Sequence, residues 1–168
     1  IAALKTAQVA GLTTSQVANL TTDQIGVLKT AQLAALATDQ AAALTTDQVV
    51  ALTTAQVVSL TTKAVNALTT AQIQTLETTD IAVLKTTQVV ALRTDQVAAL
   101  VTTQLAALKS AQILALSTTQ FAAISSNDVG ALHFASPIVL DLNGDGVQTR
   151  SVSAGVQFDI NGIGQKVS

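Results

Sequence analysis

The sequence predicts an all-α repeat protein, a compact solenoid of short capped helices built from one eight-residue unit. Leucine recurs every eight residues from Leu4 to Leu132, and Ile124 fills the single gap. The second residue after each of these positions is Thr or Ser, and the fourth is Gln in thirteen of the sixteen units. The fifth is nearly always Val, Ile or Leu. Apolar and polar residues therefore keep constant places in every unit.

One continuous helix cannot account for an eight-residue period. Residues in a helix advance by about 100° each, so the apolar stripe would rotate by about 80° with every unit. A heptad coiled coil fails for the same reason. Each unit must therefore start a helix of its own. Helices of about six residues are unstable alone in water, so we expect the units to stack and to bury their Leu and Val side chains in one axial core.

The start of each helix can be placed in two ways that differ by one residue. In the first, the invariant second hydroxyl, such as Thr46, is the N-cap. In the second, Thr45 and Gln48 form a capping box, and Leu44 and Val49 form the hydrophobic staple around it. Because the earlier position also holds Lys, Arg, Ala and Val in other units, we favour the second hydroxyl as the main cap.

A β-solenoid is the alternative fold. Thr and Val suit strands, whereas Gln, Ala and Leu favour helices. The apolar residues of a unit lie five and then three positions apart, which is not the alternation of a strand. We therefore favour helices, and the number of units in each turn stays open.

Composition argues against several classes of function. Six basic and seven acidic side chains are scattered over residues 1–131, so the clustered positive charge of a nucleic-acid-binding protein is not expected. A transmembrane helix needs about 20 consecutive apolar residues. Polar residues interrupt every apolar run of this chain long before that length is reached. The chain has no Cys, and its one His is His133. Since His, Cys or paired carboxylates usually carry catalysis, we predict that the protein is not an enzyme and that His133 packs or caps.

A composition change near Leu132 predicts a domain boundary. The only proline, Pro137, and five of the eight glycines lie beyond it. We therefore divide the chain into a repeat solenoid, residues 1–132, and a small β-turn-rich segment, residues 133–168, that caps it. The chain begins in phase with the repeat, so we expect it to be a piece of a larger protein.

The second segment contains two related loops, "DLNGDG" from position 141 and "DINGIG" from position 159. The first is the front half of an EF-hand-type loop, in which oxygens at alternating positions converge on calcium. The predicted calcium ligands are Asp141, Asn143, Asp145, the backbone carbonyl of Val147, Asp159 and Asn161. Val152 stands where the acidic twelfth ligand is expected, and Ile163 replaces a ligand in the second loop. A complete site needs both loops or water, and a pair of plain turns remains the alternative.

The stretch from Ser136 to Val167, with "SPIVLDLNGDG" and "FDINGIG", resembles the haemolysin-related calcium-binding segment of large bacterial RTX-type proteins. The octad array is similar to "LTTxQVAAL" repeats that precede such segments in giant secreted or surface proteins. Ile163 departs from the family's motif. The resemblance implies a Gram-negative, extracellular or cell-surface protein that is exported by a type I system and stabilised by calcium.

These features predict a structural repeat region, acting as a spacer, a scaffold or an adhesin stalk. The expected partners are neighbouring domains of a larger parent chain and a cell-surface or matrix ligand, without nucleic acid and without membrane insertion. The alternative is a surface-binding module, in which outward Thr hydroxyls bind ice or a polymer. The mixture of Lys, Ala, Glu and Val at the first position argues against a uniform hydroxyl face.

Overall fold

Each eight-residue unit folds into one short α-helix in the computed structural model, which describes residues 1–132. The helices are α1 Thr6–Ala10, α2 Thr14–Ala18, α3 Thr22–Gly26, α4 Thr30–Ala34, α5 Thr38–Ala42, α6 Thr46–Val50, α7 Thr54–Ser59, α8 Thr62–Ala67, α9 Thr70–Thr75, α10 Thr78–Val83, α11 Thr86–Val90, α12 Thr94–Ala98, α13 Thr102–Ala107, α14 Ser110–Ala115, α15 Thr118–Ala122 and α16 Ser126–Val129. This stretch contains no strand. The all-α repeat is confirmed, and the β-solenoid alternative is not supported.

The residue directly after each core leucine is the N-cap. In α6 the N-cap is Thr45, whose Oγ1 accepts a hydrogen bond from the Gln48 N–H at 3.2 Å. The Gln48 Oε1 in turn accepts from the Thr45 N–H at 2.8 Å. The capping-box placement is therefore right, and our preference for the second hydroxyl is wrong, because Thr46 is already the first helical residue. The glutamine accepts the N-cap N–H whichever residue stands there, so a hydroxyl at the N-cap is dispensable.

Two extended residues form the corner between successive helices. The leucine N–H closes the preceding helix, as where Leu60 donates to the Val57 carbonyl at 3.2 Å. Leu60 itself has φ −57° and ψ 138°, and the N-cap Thr61 has φ −68° and ψ 157°. Both conformations lie in the extended region that any L-residue adopts. The chain therefore turns each corner without a specialised glycine.

Three helices make one turn of the solenoid, because each helix packs on the helix three units later. Twenty-four residues thus form a turn, and the helices stack in three columns, which we call faces. The first face contains α1, α4, α7, α10 and α13, the second α2, α5, α8, α11 and α14, and the third α3, α6, α9, α12 and α15. A hydrogen bond of 2.6 Å from Thr102 Oγ1 to Asp128 Oδ1 joins α16 to α13.

The core runs along the axis and contains the leucine and the branched residue of each unit. Leu68 and Ile73, for example, are 2% and 1% exposed. The free space at the axis is about 10 Å³, which is too small to hold an ordered water. Burial of each such side chain contributes roughly 2 kcal/mol. A core without large aromatic residues is therefore closely packed because its geometry repeats.

We predict that the solenoid lengthens in proportion to the number of turns. A second copy of residues 29–76, which is two turns, inserted after position 76 should extend the particle by about 18 Å, since packed helices lie about 9 Å apart. Small-angle X-ray scattering measures this change. As the control, an inserted copy of residues 29–72 ends four residues short of a unit and should lower the unfolding midpoint. Equal stability of the two variants would contradict the eight-residue unit, and an extension far from about 18 Å would contradict the three-helix turn.

Candidate functional site

The predicted calcium ligands lie outside the described residues. They are Asp141, Asn143, Asp145, Val147, Asp159 and Asn161. The calcium site, the role of His133 and the cap formed by residues 133–168 therefore stay predictions. Within residues 1–132, no group of three or more His, Cys, Asp or Glu side chains is placed to hold a metal ion. No helix in the same part of the chain is long and apolar enough to cross a membrane.

The polar groups that the structure does bring together are glutamines. Ten of them, at the third helical position, are no more than 4% exposed, and we call this set the glutamine row. The glutamine row consists of Gln32, Gln40, Gln48, Gln56, Gln72, Gln88, Gln96, Gln104, Gln112 and Gln120. A buried primary amide is tolerated only when its oxygen and its N–H groups have partners. The contacts of the row therefore decide what it does.

Gln96 illustrates the contacts of the row. Its Oε1 accepts a hydrogen bond from the backbone N–H of the N-cap, Arg93, at 2.7 Å. Its Nε2 lies 3.0, 3.2 and 2.6 Å from the carbonyl oxygens of Val65, Asn66 and Leu68. Those carbonyls end α8, just before the helix on which α12 stacks. One side chain thus joins the start of its own helix to a helix end in the turn below.

The bonded groups include carbonyls that a helix leaves without backbone partners, because its last carbonyls have no N–H from a following turn. Those of Asn66 and Leu68 are of this kind, whereas that of Val65 also accepts from the Leu68 N–H at 3.3 Å. A buried carbonyl without a donor costs about 1–3 kcal/mol, and the Gln N–H groups satisfy such carbonyls at the corners beneath the glutamine row. No buried side-chain nitrogen or oxygen within residues 1–132 lacks a hydrogen-bond partner. The row therefore supplies both capping and cohesion between turns.

Sequence reasoning found only half of this role, because it treated the glutamine as a local cap. The sequence nevertheless contains a signal for the other half, which is donation to carbonyls of the turn below. Glutamate is as good an acceptor as glutamine in a capping box, yet no unit has Glu at this position. Only the amide carries N–H groups to donate, so the preference for Gln, in thirteen of the sixteen units, indicates a second set of partners that are acceptors.

The first turn shows that stacking, and not the unit itself, buries these amides. Gln8, Gln16 and Gln24 accept the N-cap N–H of their own units at 2.8 to 3.0 Å, as the others do. Their side chains are nevertheless exposed. Within the described residues they have no turn beneath them. The capping function is thus independent of the contacts between turns.

Two interior units lack the glutamine. Ala64 has no side-chain donor, and Asp80 has a carboxyl group that is 3% exposed. Burial raises the pKa of Asp80, a hydrogen bond with the Glu77 backbone lowers it, and the nearby Glu77 charge raises it further. By the spacing of the row, Asp80 occupies the place where an amide would donate to carbonyls. An ionised carboxylate has no proton to donate there, which agrees with the raised pKa.

The threonine at the first helical position forms a ladder on each face, with one residue in every turn. The ladder of the third face contains no other residue type: Thr22, Thr46, Thr70, Thr94 and Thr118. All five are exposed or half-buried. The variable residues of the units are the N-caps, and each directly precedes a residue of the ladder. On the third face the N-caps are Thr21, Thr45, Thr69, Arg93 and Ser117.

A family model described as the ALTTAQ repeat matches five overlapping stretches of the chain, residues 1–30, 25–54, 49–78, 73–110 and 102–133. The first four matches begin 24 residues apart, which is the length of one turn. No curated protein and no solved structure matches the chain.

We predict that a glutamine at position 80 stabilises the solenoid and removes a pH dependence. The folded state raises the pKa of Asp80 above the ordinary value of 3.8. At a pH between the ordinary and the raised pKa, the folded chain therefore binds more protons than the unfolded chain. The contribution of Asp80 to stability therefore falls as pH rises through that window. Asp80→Gln should be more stable at neutral pH by about 1–3 kcal/mol, and its advantage should widen as pH rises from about 4.

Ala64→Gln is the matched control, measured in the same urea titrations. It adds an amide over an equivalent helix end without removing a carboxyl group. Its advantage over the native chain should therefore not change with pH. An Asp80→Gln variant less stable than the native chain at pH 7 would show that the row does not stabilise by donation.

Proposed function

Because the chain belongs to the ALTTAQ repeat family, we propose that it is a non-enzymatic structural repeat region. In this role it is a spacer, a scaffold or an adhesin stalk of a secreted or surface-exposed bacterial protein. The observation that carries the proposal is the glutamine row, since one contact is repeated from turn to turn along a single axis. Such an array supplies length and stiffness, which a spacer requires.

Two properties of the described residues support a stiff element. The axial space is about 10 Å³, so neighbouring turns have little room to shift against each other. Each turn is also fastened to the next at its corners by buried amide hydrogen bonds, such as those of Gln72 to Ala41, Ala42 and Leu44. Bending the array would break these bonds away from water, where replacement partners are missing.

The proposed partners follow from this role. Neighbouring domains of a larger parent chain would be held apart by the array, and a cell-surface or matrix ligand would be contacted by another part of the same protein. The exposed charges are few and of both signs, so neither nucleic acid nor membrane insertion is part of the proposal. The resemblance to RTX-type proteins supports a location outside the cell.

Calcium is the proposed cofactor of residues 133–168. The donors available there are carboxylates (Asp141, Asp145, Asp159), amide oxygens (Asn143, Asn161) and the Val147 carbonyl. Calcium prefers such hard oxygen ligands, so the donor set fits the ion. In a solenoid, the last turn exposes an apolar surface that needs a cap. Calcium would stabilise the segment that follows the last turn.

We expect calcium to raise the melting temperature of the full chain, as followed by far-ultraviolet circular dichroism with calcium and then with chelator. An ion that binds only the folded state stabilises it by mass action. Asp141→Ala with Asp145→Ala should abolish the shift. Asp23→Ala with Asp47→Ala, which removes the same number of carboxylates from the array, should leave it intact. A chain indifferent to calcium would reduce the two loops to plain turns and leave the spacer role standing.

A second candidate function rests on the threonine ladder of the third face. Five hydroxyl groups in line, with methyl groups beside them, could order water and adsorb to ice or to a polar polymer. The N-cap residues directly before it are Thr or Ser except for Arg93, which weakens one objection to a uniform face. Exposed acidic side chains, Asp23, Asp47 and Asp95, nevertheless follow it in three turns. The spacer role therefore remains the first proposal.

A thermal-hysteresis assay separates the two functions. Ice adsorption should give a measurable gap between freezing and melting that Thr46→Val with Thr70→Val changes. The same substitutions on the second face, Thr38→Val with Thr62→Val, should have no effect. Absence of hysteresis in the native chain would exclude ice as the ligand.

A further inference from the structure

The second and third faces carry charges of opposite sign. The lysines of the second face and its corners are Lys63, Lys85 and Lys109, and its single acidic residue is Asp39. The third face has Asp23, Asp47 and Asp95, with Arg93 as its single basic residue. These differences are invisible along the sequence, because basic and acidic residues are mixed there. They appear only when every third unit is placed in one column.

Most of these charges have no partner within residues 1–132. Arg93 and Asp95 form an ion pair, with Nε and Oδ1 3.0 Å apart, and this is the only ion pair among residues 1–132. That pair leaves the fourth turn of the third face nearly neutral. Apart from Asp39, a carboxylate in the second turn of the second face, the unneutralised charges are two carboxylates in the first two turns of the third face and three ammonium groups in the last three turns of the second.

Exposed apolar side chains accompany the unpaired charges in the same turns. On the second face, Val90 is 52% exposed and Leu114 is 70% exposed, in the turns that begin with Lys85 and Lys109. On the third face, Val27 is 57% exposed and Val50 is 48% exposed, in the turns that contain Asp23 and Asp47. Each face thus has a patch of two successive turns that contain exposed apolar side chains and charges of one sign.

The two patches lie at opposite ends of their faces, which fixes how they can meet. When two copies are placed antiparallel, second face against third face, α14 meets α3 and α11 meets α6. Lys109 then lies opposite Asp23, and Lys85 lies opposite Asp47. Asp39 lies in the turn opposite the Arg93–Asp95 ion pair, which is nearly neutral. A parallel placement brings Asp39 against Asp47, which is a repulsive pair.

We propose that copies of this chain associate side by side and antiparallel, with the second face of one copy on the third face of the next. Five helices stacked about 9 Å apart give roughly 500 Å² of contact per copy, which is at the lower end of specific interfaces and implies weak association. The contact uses two different surfaces, so one copy keeps a free third face, the other keeps a free second face, and the assembly can continue. This association goes beyond the proposed spacer role and does not depend on calcium.

Sedimentation equilibrium of the full 168-residue chain, at about 0.02 M and about 0.5 M salt, tests the proposal. The native chain should associate at low salt and less at high salt, because exposed charges are screened. Lys85→Asp with Lys109→Asp should raise the dissociation constant by at least about tenfold, since each opposed pair becomes repulsive. A native chain that stays monomeric at millimolar concentration and low salt would overturn the proposal.

Two further variants separate a specific contact from an effect of net charge. Lys5→Asp with Lys29→Asp changes N-cap lysines of successive turns on the first face, so it alters net charge equally and should leave the dissociation constant within about twofold. Asp23→Lys and Asp47→Lys, added to the Lys85→Asp, Lys109→Asp chain, restore the native net charge and the complementarity. Association should return in that chain. Equal weakening by the first-face variant, or no recovery in the exchanged chain, would contradict the proposed interface.

Discussion

The architecture depends on the amide group of one glutamine in each unit. An α-helix leaves about four N–H groups at its start and four carbonyls at its end without partners. In helices of four to six residues, the unpartnered groups outnumber the internal hydrogen bonds. Such helices persist only if other groups satisfy them. The glutamine does this at both ends, because its oxygen accepts at the start of its own helix and its nitrogen donates to a helix end in the turn below.

Because each glutamine forms hydrogen bonds in two successive turns, the core does not need large aromatic side chains. In most small domains, large aromatic side chains fix the relation of one element to the next. Here the amide fixes it, since Gln72 or Gln96 reaches its three carbonyls only when the turns are aligned. Leucine and a branched residue then suffice to fill the axis. The hydrogen bonds specify the alignment, and burial of the apolar side chains supplies the driving force.

The sequence predicted the short helices and the axial core of Leu and branched residues, both of which follow from spacings shorter than eight residues. The N-cap was predicted one residue too late, because the position of Thr46 is always Thr or Ser, whereas the position of Thr45, the actual N-cap, varies between units. The number of helices per turn and the partners of Gln96 could not be predicted, since both depend on residues 24 to 31 positions apart. The predicted calcium ligands lie outside residues 1–132, so they stay a prediction.

The difference between the eight-residue unit and the 24-residue turn explains why functional residues would be aligned on a face and not repeated in every unit. Every unit makes the same contacts, so the fold tolerates any number of them, but a change of one unit moves all later residues to the next face. Lys5 and Lys29, Lys85 and Lys109, and Asp23 and Asp47 are each separated by 24 residues. One turn therefore aligns each pair on a single face. The eight-residue period is required for folding, whereas a 24-residue period is required only if a face as a whole contacts something.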